Sequence, residues 1–174
     1  MKILGTIQHY DTLCFMHLVS DRLPIRLRRC FQLISKTGDG HWYLLVVLGV
    51  TLQQGIGSRF VQGVLIAFLL ERPVYFFLKN SLKRNRPQAA LEDFKSFIVP
   101  HDQFSFPSGH TSAAFLMATL GSDSWPVLSF PLFLWAVSVG FSRVLLGVHF
   151  PSDVMVGAIL GIGIAFLGLH LVGL

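Results

Sequence analysis

The chain has 174 residues, of which 52% are hydrophobic and 13% charged, with a mean hydropathy of +0.61 and a formal charge of +5. About a quarter of a soluble domain is charged, and a disordered chain needs few apolar residues, so both classes are excluded and a one-domain integral membrane protein remains. The basic balance suits anionic lipid or a phosphorylated substrate, and the lack of a basic run interleaved with aromatics argues against nucleic acid.

Residues 6–34 mix apolar Leu13, Phe15, Met16, Leu18 and Val19 with His9, Asp11, His17, Asp21 and Arg22, then meet Pro24, Arg26, Arg28 and Arg29. The pattern predicts one or two helices lying at the membrane interface. The alternative is a first span, with Asp11 inside it at a cost of a few kcal/mol. No signal peptide is expected, because Gln8, His9 and Asp11 interrupt the opening apolar stretch. Lys36-Thr37-Gly38-Asp39-Gly40 reads as a loop.

Five spans follow, from about Trp42 to Ile56, Phe60 to Leu78, Ser108 to Leu120, Trp125 to Phe141 and Ser152 to Val172. Several fall short of the roughly 20 residues a perpendicular helix needs and are extended into their flanks. The expected architecture is an all-α integral membrane helix bundle. It has an N-terminal interfacial helical segment, 1–41, and a transmembrane unit, 42–174, of five spans, or six in all if the N-terminal segment crosses. Gly157 and Gly161 form a GxxxG that lets helices approach closely. Cys14 and Cys30 read as free thiols. Glu71 and Arg72 lie inside the second span, and as chain neighbours they are expected to point to different sides without pairing. They suit an interhelical contact or a water-lined cavity near the site, and Pro73 predicts a kink.

Two spans separate the 79–107 loop from the 142–151 loop, so the two lie on one membrane face. They carry Lys79, Lys83, Arg84 and Arg86, then Ser108, Gly109 and His110, then Arg143, His149 and Asp153. A phosphate needs such a set: Arg offers bidentate planar donors and Lys a point charge. Ser108 and Gly109 open a helix whose free N–H groups and dipole attract an anion, and Gly109 lets the backbone come close. His149 and Asp153 are four apart and meet on one helical face if the last span begins there. The carboxylate then fixes the imidazole tautomer and makes the other nitrogen a better nucleophile, leaving His110 to protonate the leaving oxygen.

Lys79 with Arg86-Pro87 fits KxxxxxxRP, Pro107-Ser108-Gly109-His110 fits PSGH, and Ser142-Arg143 followed after five residues by His149 fits SRxxxxxH. With all three in order on one face, the chain resembles the type 2 phosphatidic acid phosphatase superfamily from Trp42 to its end. The resemblance implies a lipid phosphatase that needs neither metal nor cofactor. In it His149 attacks phosphorus to form a phosphohistidine, Asp153 orients His149, and His110 is the general acid and later positions water. Lys79, Arg86, Ser108, Gly109 and Arg143 bind the phosphoryl oxygens.

The implied partners are a lipid phosphate and the bilayer, with no nucleic acid and the oligomeric state open. The short N-terminus most resembles the superfamily's small bacterial undecaprenyl-pyrophosphate phosphatases, so undecaprenyl pyrophosphate is the first expectation. Phosphatidylglycerol phosphate, phosphatidic acid and a lipid A phosphate are alternatives. A phosphotransferase using the same phosphohistidine and a non-catalytic membrane protein are the readings from other classes.

The resemblance places the protein in the bacterial inner membrane with its site facing the periplasm. The positive-inside rule points to the cytoplasm instead. It sets Arg22, Arg26, Arg28, Arg29, Lys36, Lys79, Lys83, Arg84, Arg86, Lys95 and Arg143 against little beyond Arg59. His9, His17, His41, His101 and His170 are expected to be structural. Lys83, Arg84 and Lys95 are expected to be solvated loop charges or headgroup contacts, and Asp102 a loop residue only.

Overall fold

The computed structural model describes residues 2–19, 24–100 and 102–173, with side chains from Gln8 onward. Asp21, Arg22 and His101 lie outside the described residues. Eight α-helices occur among those described: α1 (Lys2–Leu18), α2 (Ile25–Thr37), α3 (Gly40–Gln54), α4 (Arg59–Leu82), α5 (Pro87–Ala90), α6 (Gly109–Ser124), α7 (Ser129–Leu145) and α8 (Pro151–Val172). A 3-10 turn, Pro126–Leu128, leads into α7. The one β-type pairing among them is a single bridge between Asn85 and Phe104. By length and composition three segments can cross a membrane: α4, α7 with its leading turn, and α8.

Helix α6 is the axis of the bundle, packed against α8, α7 and α4. Its small side chains explain why: Ala113, Ala114, Ser112 and Ala118 are buried and let three neighbours close in. The expected glycine pair supplies the other half of the α6–α8 contact. A Cβ at Gly157 would stand 2.6 Å from the Ser108 carbonyl oxygen, and one at Gly161 would collide with that of Ser112. Overpacking of that kind is typically costly. The apolar core, including Phe60, Val64, Leu116, Leu120 and Leu169, lies toward the end opposite the histidines. There Arg59 at the start of α4 meets Asp123 near the end of α6 at 3.3 Å.

The N-terminal segment is two helices docked on the bundle. Phe15 of α1 and Val19 just after it are buried with Phe94, Val144 and Phe150, and α2 lies along α7. Asp11 has no buried-charge penalty to bear alone. Its carboxylate accepts from Arg84 at 2.5 Å and from the Ser152 N–H at 3.0 Å.

Two sequence expectations need correction. Helices α4 and α7 outrun their expected ends at Leu78 and Phe141, so Lys79 and Arg143 stand on last helical turns and not in loops. Cations there complement the helix dipole, which favours continuing the helix past the apolar run. Finally, Arg72 does pair with Glu71. Backbone directions diverge at adjacent positions, but the long arginine side chain folds back to its neighbour, while Ser112 on α6 donates to the other Glu71 oxygen at 2.6 Å. The interhelical contact expected of Glu71 is therefore present.

Candidate active site

Three helix ends and two connecting segments converge at the end of the bundle remote from Arg59. Helix α4 brings Lys79 on its last turn, α6 brings Gly109 and His110 on its first, and α7 brings Arg143 on its last. The loop before α8 brings His149, and the segment after α4 brings Arg86. These six residues line one cleft of about 550 Å³. The cleft's other end is apolar, lined by Tyr43, Leu44, Val47, Val64, Leu65 and Phe68 of α3 and α4. Leu44 and Leu65 are exposed there, so the cleft opens sideways between those two helices.

The cations are buried and held by backbone and aromatic groups. Arg86 donates through Nε to the Asp102 carbonyl at 2.9 Å and through Nη1 to the Val148 carbonyl at 2.6 Å. Lys79 Nζ donates to the Tyr75 hydroxyl at 2.6 Å and pairs with Asp102 at 2.7 Å. Arg143 Nη1 donates to Ser35 Oγ of α2 at 2.7 Å, while its buried Nε has no partner. An unsatisfied buried guanidinium nitrogen is costly, and an anion in the cleft would relieve it.

Asp102 is more than a loop residue. It pairs with both Lys79 and Arg86. Burial raises its carboxyl, but the hydrogen bonds and charges of those two cations outweigh burial and bring it down to about 2. It therefore stays ionised and ties its own backbone and the 102–105 segment to the cations.

His149 is buried, with Nε2 3.4 Å from Arg86 Nη1 and Nδ1 3.6 Å from Asp153 Oδ2. Arg86 offers only donors, so Nε2 is assigned as the unprotonated nitrogen and Nδ1–H faces the carboxylate. Burial, then the charges of Arg143, Arg86 and Lys79, hold the imidazole well below its ordinary range, so it is neutral at neutral pH. The pair does not form on one helical face as its spacing suggested, because α8 begins at Pro151. Asp153 instead folds back as the third helical residue and accepts the Phe150 N–H at 2.8 Å, which carries its carboxylate to His149. A carboxylate that caps the first turn is rigid as well as well aimed.

His110 Nε2 lies 2.8 Å from Asp39 Oδ1, at the start of α3. Ser108 is fully buried at the start of α6. Its N–H donates to the Asp153 carbonyl at 3.0 Å, and its hydroxyl meets Thr111 Oγ1 at 2.8 Å. Gly109 packs under Tyr75, whose ring would meet an added Cβ at 3.0 Å. Among the described residues no three His, Cys, Asp or Glu side chains cluster as a metal site requires. His9, His17, His41 and His170 are exposed and do not line the cleft, and Lys83 and Lys95 are exposed too.

Sequence reasoning missed three residues here. Asp39 and Asp102 had no visible partner because theirs are 71 and 16 to 27 positions away. Arg84 was set aside as solvated, yet it is mostly buried and donates to Asp153 Oδ1 at 2.7 Å, Ser152 Oγ at 2.7 Å and Asp11 Oδ2 at 2.5 Å. Its only sequence signal was its place inside the KxxxxxxRP run.

A helical bundle with apolar, membrane-length helices and an end cleft of convergent cations and histidines has the make-up of a membrane protein with a site suited to an anion. Residues 42–173 match the PAP2 superfamily model, and the chain belongs to that superfamily. It is 34% identical over 128 residues to the decaprenylphosphoryl-5-phosphoribose phosphatase of Mycobacterium tuberculosis, covering 69% of this chain and 65% of that protein. It is 27% identical over 135 residues to the undecaprenyl-diphosphatase BcrC of Bacillus subtilis, covering 72% and 65%. The match thus spans just under two thirds of the length of these curated relatives. The crystal structure of Aquifex aeolicus LpxE superposes with a TM-score of 0.81 at 31% identity, covering 91% of this chain and 94% of that one. That of a transmembrane PAP2-type phosphatidylglycerolphosphate phosphatase from Bacillus subtilis gives 0.77 at 28%, covering 95% and 86%.

Proposed function

We propose that this protein is a membrane-embedded lipid phosphate phosphatase that acts through a phosphohistidine. The observation that carries the reading is a neutral, buried His149 beside Arg86 and Arg143 in a cleft with one cationic end and one apolar, laterally open end. Such a cleft admits a lipid with its tail between α3 and α4 and its phosphate against the cations. His149 Nε2 attacks phosphorus as the bond to the leaving oxygen breaks, and His110, oriented by Asp39, gives that oxygen a proton. Water on the same side then cleaves the N–P bond, with His110 taking its proton. Lys79, Arg86 and Arg143 meet the charge spread over the phosphoryl oxygens. Gly109 brings the α6 start to the phosphate, and Ser108 braces α6 against α8 beside it.

Five helices, α3, α4, α6, α7 and α8, are read as the spans. Helices α3 and α6 are short, about 22–24 Å, but α6 is enclosed by longer neighbours and shares their slab. The placement we propose is a bacterial inner membrane with the site on the periplasmic face, against the positive-inside count. A reporter fused after the last residue is then expected on the cytoplasmic side, because α8 starts at the site and runs to the opposite end. A periplasmic reporter would reverse the assignment.

Polyprenyl lipids appear in the names of two relatives, so undecaprenyl diphosphate is the first substrate proposed. The test is phosphate release by purified protein in detergent with EDTA, on undecaprenyl diphosphate, phosphatidylglycerol phosphate and phosphatidic acid. Release from at least one is expected. No release from any lipid, by protein shown to be folded, would sink the phosphatase reading.

A further inference from the structure

Arg72 lines the same cleft as the phosphate-end cations, yet it belongs to none of the three motifs. It lies seven residues before Lys79 on α4, two turns nearer the apolar end and on nearly the same face. Its position is well defined. The guanidinium carbon stands 4.8 Å from the Tyr75 ring centre and 5.9 Å from that of Phe68. Lys79 Nζ stands 4.7 Å from the same Tyr75 ring. One aromatic ring thus holds two cations in file, Lys79 at the phosphate end and Arg72 toward the tail.

Pairing with Glu71 does not use Arg72 up. Glu71 is fully buried and also takes the Ser112 hydroxyl, whereas the Arg72 side chain remains 40% exposed. A guanidinium has five donors, and the Glu71 carboxylate engages one edge of it. A half-exposed cation at membrane depth is a functional-site candidate, and the part of Arg72 that faces the cleft is free to meet an anion there.

We infer that Arg72 is the subsite for a second anion on the leaving-group side of the scissile phosphate, so that the cleft is built for a lipid diphosphate. This rests on the phosphatase reading above. In a lipid diphosphate the terminal phosphate lies against His149, and the phosphate that stays on the lipid lies between it and the tail, where Arg72 stands. His149 Nε2 bonds to the terminal phosphorus, the bond from that phosphorus to the bridging oxygen breaks, and His110 protonates the bridging oxygen. The lipid monophosphate leaves with its charge still against Arg72, and water releases inorganic phosphate from His149. A simple monoester such as phosphatidic acid has no charge at that point. A phosphodiester next to the scissile group, as in phosphatidylglycerol phosphate, presents an anion of the same kind further along.

The test is the ratio of kcat/KM on undecaprenyl diphosphate to kcat/KM on phosphatidic acid, for the wild type, Arg72→Gln and Arg72→Lys. Phosphatidylglycerol phosphate is run alongside to separate an adjoining phosphate from a more distant one. Because Arg72→Gln strands the buried Glu71, the double variant Glu71→Gln/Arg72→Gln removes the ion pair as a unit. The diphosphate-to-monoester ratio is expected to fall about tenfold in both Gln variants, mainly through KM, and to recover in Arg72→Lys. An equal loss on both substrates in the double variant would make Arg72 purely structural and overturn the inference. So would a ratio unchanged from the wild type, or a wild type that hydrolyses only the monoester. A wild type inactive on every lipid would overturn the phosphatase reading, and the inference with it.

Discussion

Replacing His149 with Ala is expected to lower kcat for lipid phosphate hydrolysis by at least about 10⁴-fold, because it removes the atom proposed to bond to phosphorus and leaves only positioning and charge stabilisation. The imidazole is suited to this by its surroundings. It is buried among Arg86, Arg143 and Lys79, which keep it neutral, and Asp153 lies on its far nitrogen. Radiolabelled substrate and an alkaline denaturing quench report the step directly: the wild type should carry an alkali-stable, acid-labile phosphoryl label, and His149→Ala none. Labelled His149→Ala would remove this residue from the nucleophile's role. The pH dependence carries a second check. A lowered folded value keeps the imidazole neutral below its ordinary titration range, so kcat/KM should hold through pH 6 and the imidazole's acid limb should appear only at lower pH.

Replacing Arg84 with Met is expected to destabilise the protein by about 3–5 kcal/mol, the usual consequence of removing one partner from a buried ion-pair network. Arg84 stands between Asp11 of α1 and Asp153 at the start of α8, with Ser152 and Gln8 completing its donor set. Without it two buried carboxylates face each other across a gap. Because Asp153 also positions His149, kcat should fall by about 10²-fold with KM little changed, which a general loss of packing would not produce. Thermal unfolding in detergent and steady-state kinetics read both effects, and the additional change Asp11→Asn should restore part of the stability. A rise in KM along with the fall in kcat, with no recovery in the double variant, would count against Arg84 as a positioning residue.

Much of this site is legible in the sequence because its chemistry is local. Lys79, Arg86, Gly109, His110, Arg143 and His149 sit in three short runs with fixed spacing, and the parity of apolar segments between the runs places them at one end of the bundle. The close α6–α8 contact was legible too, since Gly157 and Gly161 are small at a helical repeat.

What only the tertiary structure decided is which charges are solvated and which are joined. Hydropathy and local pattern assign Arg84, Asp102 and Asp39 to loops and termini, because nothing within a few residues of each explains a buried charge. Their partners, Asp153, Lys79 and His110, are distant in sequence and meet them only once α4, α6 and α8 pack. The same holds for Glu71 and Arg72, whose pairing depends on Ser112 from α6 and on the Tyr75 ring. Sequence by itself determined which residues are candidates for the reacting groups, since motif spacing is a property of one continuous chain. The counter-ions that orient those groups were decided by packing, since burial and Coulomb energy depend on distances between elements that the chain order does not contain.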